Sequence, residues 1–246
     1  MKNNILLLGG SGTLGTKIKK SKLYPNLKHP SKQELNILNK KKIQKYLIRN
    51  SINLIIHCAA IARLKECETN KAKAKQINIT GTKNIVDAIS NIKKRRKKKL
   101  KLVFISSDAV YPPSRGNNKE TDKLSPYNFY GLTKVKGENL VKKLDEFIIV
   151  RTRFFDKKKI PFSYSATNIF TSALEVTKFV KYLSILINKN FKGIINIGGP
   201  KISDFKKYKR FKKKLKPCDK EDIFKELNFK IATDASLNIS KLKKIL

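Results

Sequence analysis

Tyr130-Gly131-Leu132-Thr133-Lys134 sets a phenol and an ammonium four residues apart, a spacing that stacks them on one helix face. A nearby cation favours phenolate, so Lys134 is expected to draw the Tyr130 pKa down from about 10. A phenol so tuned can give its proton to a carbonyl oxygen as hydride arrives at the carbon. Upstream, Phe104-Ile105-Ser106-Ser107-Asp108 places hydroxyls where a short apolar run ends. Open α/β sheets build their sites at such C-terminal strand ends. A Tyr and a Lys at this spacing arise by chance in many lysine-rich helices. The pair gains weight from the glycine turn at the start of the chain.

That turn is Gly9-Gly10-Ser11-Gly12-Thr13-Leu14-Gly15, preceded by an apolar run at residues 4–8 and followed by a helical stretch. Gly9 permits the tight turn, Gly12 lets backbone approach a pyrophosphate, and Gly15 allows close helix–sheet packing. The helix start offers free N–H groups and a positive dipole to the anion. The spacing G-x-x-G-x-x-G is one residue longer at its front than the common dinucleotide turn. An ordinary strand–helix turn is the plainer reading of the same residues. An NAD-specific site usually carries an acid about 20 residues further on, against the ribose 2′-hydroxyl. No Asp or Glu precedes Glu34, and Lys28-His29-Pro30-Ser31-Lys32 stands there instead. A cation and a hydroxyl suit a 2′-phosphate, which favours NADPH and leaves NADH as the lesser option. General lysine enrichment would put Lys32 there without any such role.

Strands alternating with helices must position these groups. Short apolar runs at residues 4–8, 54–58, 100–106 and 147–150 read as buried strands, with a weaker one at 23–27. Helical patterns fall at 41–49, with Asn39 as a cap, at 70–92 and at 126–144. Each parallel crossover needs a helix to return the chain, so the fold is α/β, a doubly wound parallel sheet of Rossmann type. Residues 1–153 form the dinucleotide-binding part with the catalytic groups. Residues 154–246 complete the sheet, with a helix near 172–186 and a strand near 194–197, and form a small substrate lobe. Ile197-Gly198-Gly199-Pro200 reads as a turn after that strand.

The 57 Lys and Arg exceed the 18 Asp and Glu, for a net charge of +39. Such a balance raises nucleic acid or an anionic membrane as partners. Yet 49 of those cations are Lys and 8 are Arg, the residue suited to bidentate phosphate and base recognition. The lysines also run from end to end among many Asn and Ile, a pattern of compositional bias. No specific nucleic acid and no membrane are therefore expected. The densest run, Lys93-Lys94-Arg95-Arg96-Lys97-Lys98-Lys99, reads as a solvated loop. No apolar stretch approaches the roughly 20 residues that span a bilayer. Cys58, Cys67 and Cys218 are odd in number and lack metal-ligand spacing. Reduced thiols, no metal and a cytoplasmic setting are expected.

Taken in order, the glycine turn, His57-Cys58-Ala59-Ala60, Asn78-Ile79-Thr80-Gly81-Thr82, Ser106-Ser107-Asp108-Ala109-Val110-Tyr111, and Pro126 through Tyr130, Lys134, Gly137 and Glu138 resemble the extended short-chain dehydrogenases/reductases. The chain is most similar to the dTDP-4-dehydrorhamnose reductase branch. Ser31-Lys32-Gln33-Glu34-Leu35-Asn36-Ile37 resembles that branch's adenosine-side motif, with Asn36 replacing the usual Asp, and residues 234–242 resemble its C-terminal motif. The resemblance implies that Ser107 hydrogen-bonds the substrate carbonyl, Tyr130 is the acid/base, and Lys134 holds the nicotinamide ribose and tunes Tyr130. It implies cofactor contacts at Gly9, Ser11, Gly12, Thr13, Leu14, Gly15, Ser31, Lys32, Asn36, Ile37, Cys58, Ala59 and Ala60, with Asn78 supporting the helix beside the site. Asp108 and Arg153 fall where substrate is met, Arg153 facing a diphosphate or serving structure alone. The implied activity is NADPH-dependent reduction of a 4-keto deoxysugar nucleotide in polysaccharide biosynthesis, and a homodimer is compatible with it. Ala109 stands where sugar-nucleotide dehydratases carry Glu, which disfavours dehydration. An NAD-dependent sugar-nucleotide epimerase and a non-catalytic dinucleotide-binding regulatory subunit remain the alternatives.

Overall fold

A computed structural model describes residues 4–96 and 99–246. The first five strands are β1 (Ile5–Leu8), β2 (Leu27–Lys28), β3 (Leu54–His57), β4 (Lys101–Ile105) and β5 (Phe147–Thr152). Four short ones follow, β6 (Phe154–Phe155), β7 (Tyr164–Ala166), β8 (Phe170–Thr171) and β9 (Leu174–Glu175), before β10 (Gly193–Ile197). One six-stranded sheet runs in the order β10-β5-β4-β3-β1-β2, with every pairing parallel. The chain adds β2 on one side of β1 and then crosses to β3 on the other. The order therefore reverses between β1 and β3, and at such a switch point the strand ends open a crevice.

Alternation along each strand divides the core. Ile5, Leu7, Ile56, Val103, Ile105, Ile148 and Val150 face α1 (Thr13–Lys20) and a later helix over 176–188. Leu6, Leu8, Ile55, Leu102, Phe104 and Ile149 face the opposite layer. That layer contains α2 (Lys40–Arg49), α5 (Gly81–Arg96) and α6 (Phe129–Val141), reached through α3 (Leu64–Thr69) and α4 (Lys71–Lys75). A strand buried on both faces reads as a continuous apolar run, which is why periodicity located these four so directly. The Asn39 side chain accepts from Lys42 N at 2.9 Å and caps α2 as expected.

Beyond β5 the chain forms α7 (Val176–Asn188), which covers the sheet, and β10, which completes its edge. The remainder is a lobe of short pieces: β11 (Ile202–Ser203), α8 (Asp204–Lys209), β12 (Lys216–Cys218), α9 (Lys220–Glu226), β13 (Asp234–Ala235) and α10 (Ser240–Ile245). Among the described residues, no helix is long and apolar enough to cross a membrane.

Four expectations need correction. The second strand forms at Leu27–Lys28 rather than over 23–27, where Leu23 is exposed and Asn26 takes a positive φ of 58°. The helix expected over 172–186 begins at Val176, capped by the Glu175 side chain, because Leu174 and Glu175 first pair as a strand with β6. Residues 93–96 of the lysine-rich run extend α5, and Lys97 and Lys98 lie outside the described residues. Residues 70–92 are no single regular helix. A π-helical turn at Gln76–Thr80 separates α4 from α5. Such widened turns redirect side chains, and this one carries Asn78.

Candidate active site

The glycine turn is built around two close approaches. Gly9 has φ +88°, and a Cβ there would stand 2.5 Å from Ala59 N. A Cβ on Gly15 would meet Gly9 O at 2.2 Å. Gly12 is different, since a Cβ there would find only Gly9 O, at 3.6 Å, with open space beyond. Gly12 caps α1 with no side-chain bond, and no acid lies in the first turn. The first-turn N–H groups thus face a cleft that no side chain of the turn fills. This surface fits a pyrophosphate.

The cleft is a cavity of about 430 Å³ at the switch point. Gly9, Gly12, Thr13, Leu14 and Gly15 form one wall with Cys58 and Ala60 from the end of β3. Ser107, Asp108, Tyr130, Lys134 and Arg153 form the other. Residues separated by more than a hundred positions in the chain therefore meet in one space.

α6 sets Tyr130 in its first turn. Asn128 Oδ1 accepts from Gly131 N at 2.8 Å, and Glu68 Oε1 accepts from Phe129 N at 2.7 Å. One turn later Lys134 is buried, and its Nζ donates to Ile105 O at 2.8 Å. The ammonium lies 4.9 Å from the Phe104 ring centre and 5.7 Å from that of Tyr130. With three donors and one protein carbonyl engaged, it retains capacity for ribose hydroxyls. Burial pulls its pKa down to about 8.

Tyr130 departs from expectation. Its pKa is pushed above the ordinary phenol value, first by burial and next by the Asp108 carboxylate. Lys134 aims its N–H at the β4 carbonyl rather than at the phenol oxygen, and burial outweighs its charge. The phenol therefore keeps its proton at neutral pH. Ser107 donates its single proton to Asp108 Oδ1 at 3.1 Å and accepts from Ala109 N at 3.2 Å. Asp108 Oδ2 is in turn 2.7 Å from Arg153 Nε. Arg153 thus has a structural partner.

Asn78 lies behind the cleft. Its Oδ1 accepts from Ile61 N at 2.8 Å, and its Nδ2 donates to Ile61 O and Thr133 Oγ1, both at 3.0 Å. The side chain ties the loop after β3 to α6. Beside it, Thr82 Oγ1 donates to Asn78 O at 2.7 Å, so it must accept from His57 Nε2 at 3.1 Å. Burial, then Lys134, push the His57 pKa down to about 3, and the ring is neutral with its proton on Nε2.

The adenosine-side residues are less converged. Ser31 and Lys32 are exposed, and Ser31 Oγ accepts from Glu34 N at 3.2 Å. Glu34 Oε2 turns back to accept from Ser31 N at 2.7 Å, which brings an acid beside Ser31 after all. Asn36 Oδ1 accepts from Leu38 N at 2.9 Å. Ile37 is buried beneath Gly81, where a Cβ would lie 2.5 Å from its Cδ1. Ser11 is exposed on the turn. Ala59 packs against Gly9, opposite the helix start.

Sequence reasoning missed a buried pair that holds these walls together. Arg151 Nη2 donates to Glu138 Oε2 at 2.7 Å, with both side chains almost fully buried. Ser106 Oγ donates to Glu138 Oε1 at 2.6 Å, and Arg151 Nη1 donates to Tyr111 Oη at 2.8 Å. This network joins β4, β5 and α6. Glu138 stands four residues beyond Lys134 on the Tyr130 face, and an acid there was a readable signal. Tyr127 and Asp204 also line the cleft, and no spacing in the sequence pointed to either.

A family identified by its RmlD substrate binding domain matches residues 1–173. The chain belongs to the RmlD substrate binding domain family. The dTDP-4-dehydrorhamnose reductase of Aggregatibacter actinomycetemcomitans is 26% identical over 207 residues, 81% of this chain and 63% of that protein. Methionine adenosyltransferase 2 subunit beta of Bos taurus is 27% identical over 146 residues, 56% of this chain and 42% of that protein. The chain thus spans less than two thirds of the curated relatives it matches. Among solved structures, dTDP-4-dehydrorhamnose reductase from Bacillus anthracis in complex with NADP superposes with a TM-score of 0.87 at 22% identity. That match covers 99% of this chain and 93% of the other. As a member of the RmlD family the chain has the extended short-chain dehydrogenase/reductase fold that the sequence motifs implied.

Proposed function

We propose that this protein is an NADPH-dependent reductase of a 4-keto deoxysugar nucleotide. The observation that carries the reading is one cavity holding the glycine turn, Tyr130, Lys134 and Ser107 together. Relatives named as dTDP-4-dehydrorhamnose reductase and dTDP-4-keto-6-deoxy-D-glucose reductase support the substrate class. The Bacillus anthracis neighbour bound to NADP supports the cofactor.

Gly12 to Gly15 would hold the pyrophosphate of a nicotinamide dinucleotide and Lys134 its ribose, and the bound cofactor would supply hydride. The chain's own residues do the rest. Tyr130, held protonated by burial and Asp108, gives its proton to the carbonyl oxygen. Ser107 swings its proton from Asp108 Oδ1 to that oxygen and stabilises the charge developing there. Lys134 holds the ribose and offsets the phenolate left behind. Asp108 and Arg153 meet the substrate.

The test follows NADPH absorbance across a panel of 4-keto deoxysugar nucleotides. Consumption with at least one of them is the expected result, and binding of NADPH without consumption across the panel overturns the reading. The second outcome belongs to the alternative of a dinucleotide-binding regulatory subunit, and one relative of this chain is named as a subunit of another enzyme, methionine adenosyltransferase 2 subunit beta.

Cofactor preference gives an independent prediction. NADPH is expected to bind more tightly than NADH, and Lys32→Ala to narrow the gap by about 2- to 5-fold, the range of an exposed ion pair. Calorimetry giving equal affinities in the unmutated protein would contradict the assignment of Ser31 and Lys32 to a 2′-phosphate.

A further inference from the structure

Tyr130 is held by side chains that lie outside its own helix. α6 carries no acid in its first turn, and the capping side chain of Asn128 engages Gly131 N. The first N–H of the helix, on Phe129, has no partner within the helix. Glu68 of α3 meets it, its Oε1 accepting from Phe129 N at 2.7 Å across 61 positions of chain. A carboxylate at a helix N-terminus is favoured by the dipole as well as by the charge-assisted bond. Lys71 steadies that carboxylate, with Nζ 3.8 Å from Glu68 Oε2 and 5.7 Å from the Phe129 ring centre.

The far side of Tyr130 is held as well. The buried Thr133 Oγ1 donates to Tyr130 O at 2.7 Å and accepts from Asn78 Nδ2 at 3.0 Å. Glu68 and Asn78 belong to one segment, running from α3 through α4 to the π-helical turn. The start of that segment walls the cleft with Ala62 and Leu64, and Asn78 ties it down by bonding both N and O of Ile61. One stretch of chain thus faces the cleft and grips Phe129-Tyr130 at both ends.

We propose that Glu68 is a positioning residue for the Tyr130 phenol, with Thr133 as the second hold. Glu68 stands outside the cleft wall and acts through the helix. It fixes where the first turn of α6 begins, and so where the phenol stands against the carbonyl to be reduced. Without that hold the turn frays, because helix ends are the parts that open at least cost. The loss then falls on placement of the proton donor and not on binding of cofactor or substrate. The effect on turnover rests on the reductase reading, whereas the placement of Tyr130 does not.

The experiment compares Glu68→Ala, Glu68→Gln and Thr133→Val with the unmutated protein by two readouts. The first is NMR of protein whose eight tyrosines carry ¹³C at Cζ, the Tyr130 signal being the one that Tyr130→Phe removes. That signal is expected to shift or broaden in Glu68→Ala and Thr133→Val. It is expected to stay near its original position in Glu68→Gln, whose amide oxygen still accepts from Phe129 N. The second readout is steady-state reduction of a 4-keto deoxysugar nucleotide. Glu68→Ala is expected to lower kcat about 10- to 100-fold, the cost of misplacing a reacting group by up to about 1 Å, with KM and NADPH affinity little changed. In the Tyr130→Phe background the same change is expected to cost nothing further. Glu68→Asp, which draws the oxygen back by one methylene, takes the place of Glu68→Ala if thermal unfolding shows that variant unfolded. An unmoved Tyr130 signal on loss of the Glu68 hold overturns the proposal. So does an equal fall in kcat with and without the Tyr130 hydroxyl, which would mark a general loosening of the fold. A displaced Tyr130 signal in a protein that reduces nothing would uphold the placement while removing the reductase reading.

Discussion

Tyr130→Phe is expected to lower turnover of the 4-keto sugar nucleotide by about 10²–10⁴-fold, the worth of a positioned proton donor. The substitution removes only the hydroxyl, and the ring continues to fill the first turn of α6 above Lys134. NADPH affinity is therefore expected to move little. Lys134→Ala is expected to harm affinity and turnover together, since in the proposed site its ammonium would hold the ribose and offset the phenolate. Because burial sets Lys134 near a pKa of about 8, turnover and cofactor affinity should both fall as pH rises through that value. Steady-state rates with cofactor titrations separate these effects. A Tyr130→Phe protein within threefold of the unmutated rate would remove Tyr130 from the chemistry.

Glu138→Ala is expected to destabilise the fold by about 3–5 kcal/mol, because it strands the Arg151 guanidinium in the interior without its counter-charge. Ser106 loses its acceptor in the same change. Replacing both members, as in Glu138→Gln/Arg151→Met, should recover a large part of that loss, since removing a buried pair costs far less than halving it. Denaturant unfolding of Glu138→Gln, Arg151→Met and their double supplies the cycle, with Glu138→Ala measured beside it. A loss under about 1 kcal/mol for Glu138→Ala would mean that the network contributes little to holding β4, β5 and α6 together.

The legible parts of the molecule were those governed by local rules. Leu6 and Leu7 point into opposite layers, as any strand buried on both faces requires, so the apolar run before Gly9 could only be a central strand. Gly9 and Gly15 were readable because no other residue fits their contacts with Ala59 and Gly9 O. Tyr130 and Lys134 were readable because helix geometry fixes i and i+4. Their electrostatics were not, since the tuning depends on burial and on Asp108, a residue from another element. Arg153 was legible only as a cation near a strand end. Its partner Asp108 lies 45 positions earlier, and its neighbour Asp204 comes from the lobe where period and alternation fade. The π-turn at Gln76–Thr80 escaped periodicity because one extra residue per turn leaves the apolar pattern on either side intact. Glu34 counted as too late for the ribose, yet its side chain folds back onto Ser31 N.

Transfer of hydride to the sugar's C4 carbon is the central claim, and isotope tracing tests it most directly. The protein would be incubated with a 4-keto deoxysugar nucleotide and NADPH deuterated at C4 of the nicotinamide, and the sugar product analysed by mass spectrometry and NMR. One deuterium bound to C4 of a reduced sugar, with one NADP⁺ formed per product and a rate that collapses in Tyr130→Phe, is the predicted result. A sugar without deuterium, or an epimerised sugar formed with no net oxidation of the cofactor, would contradict the account.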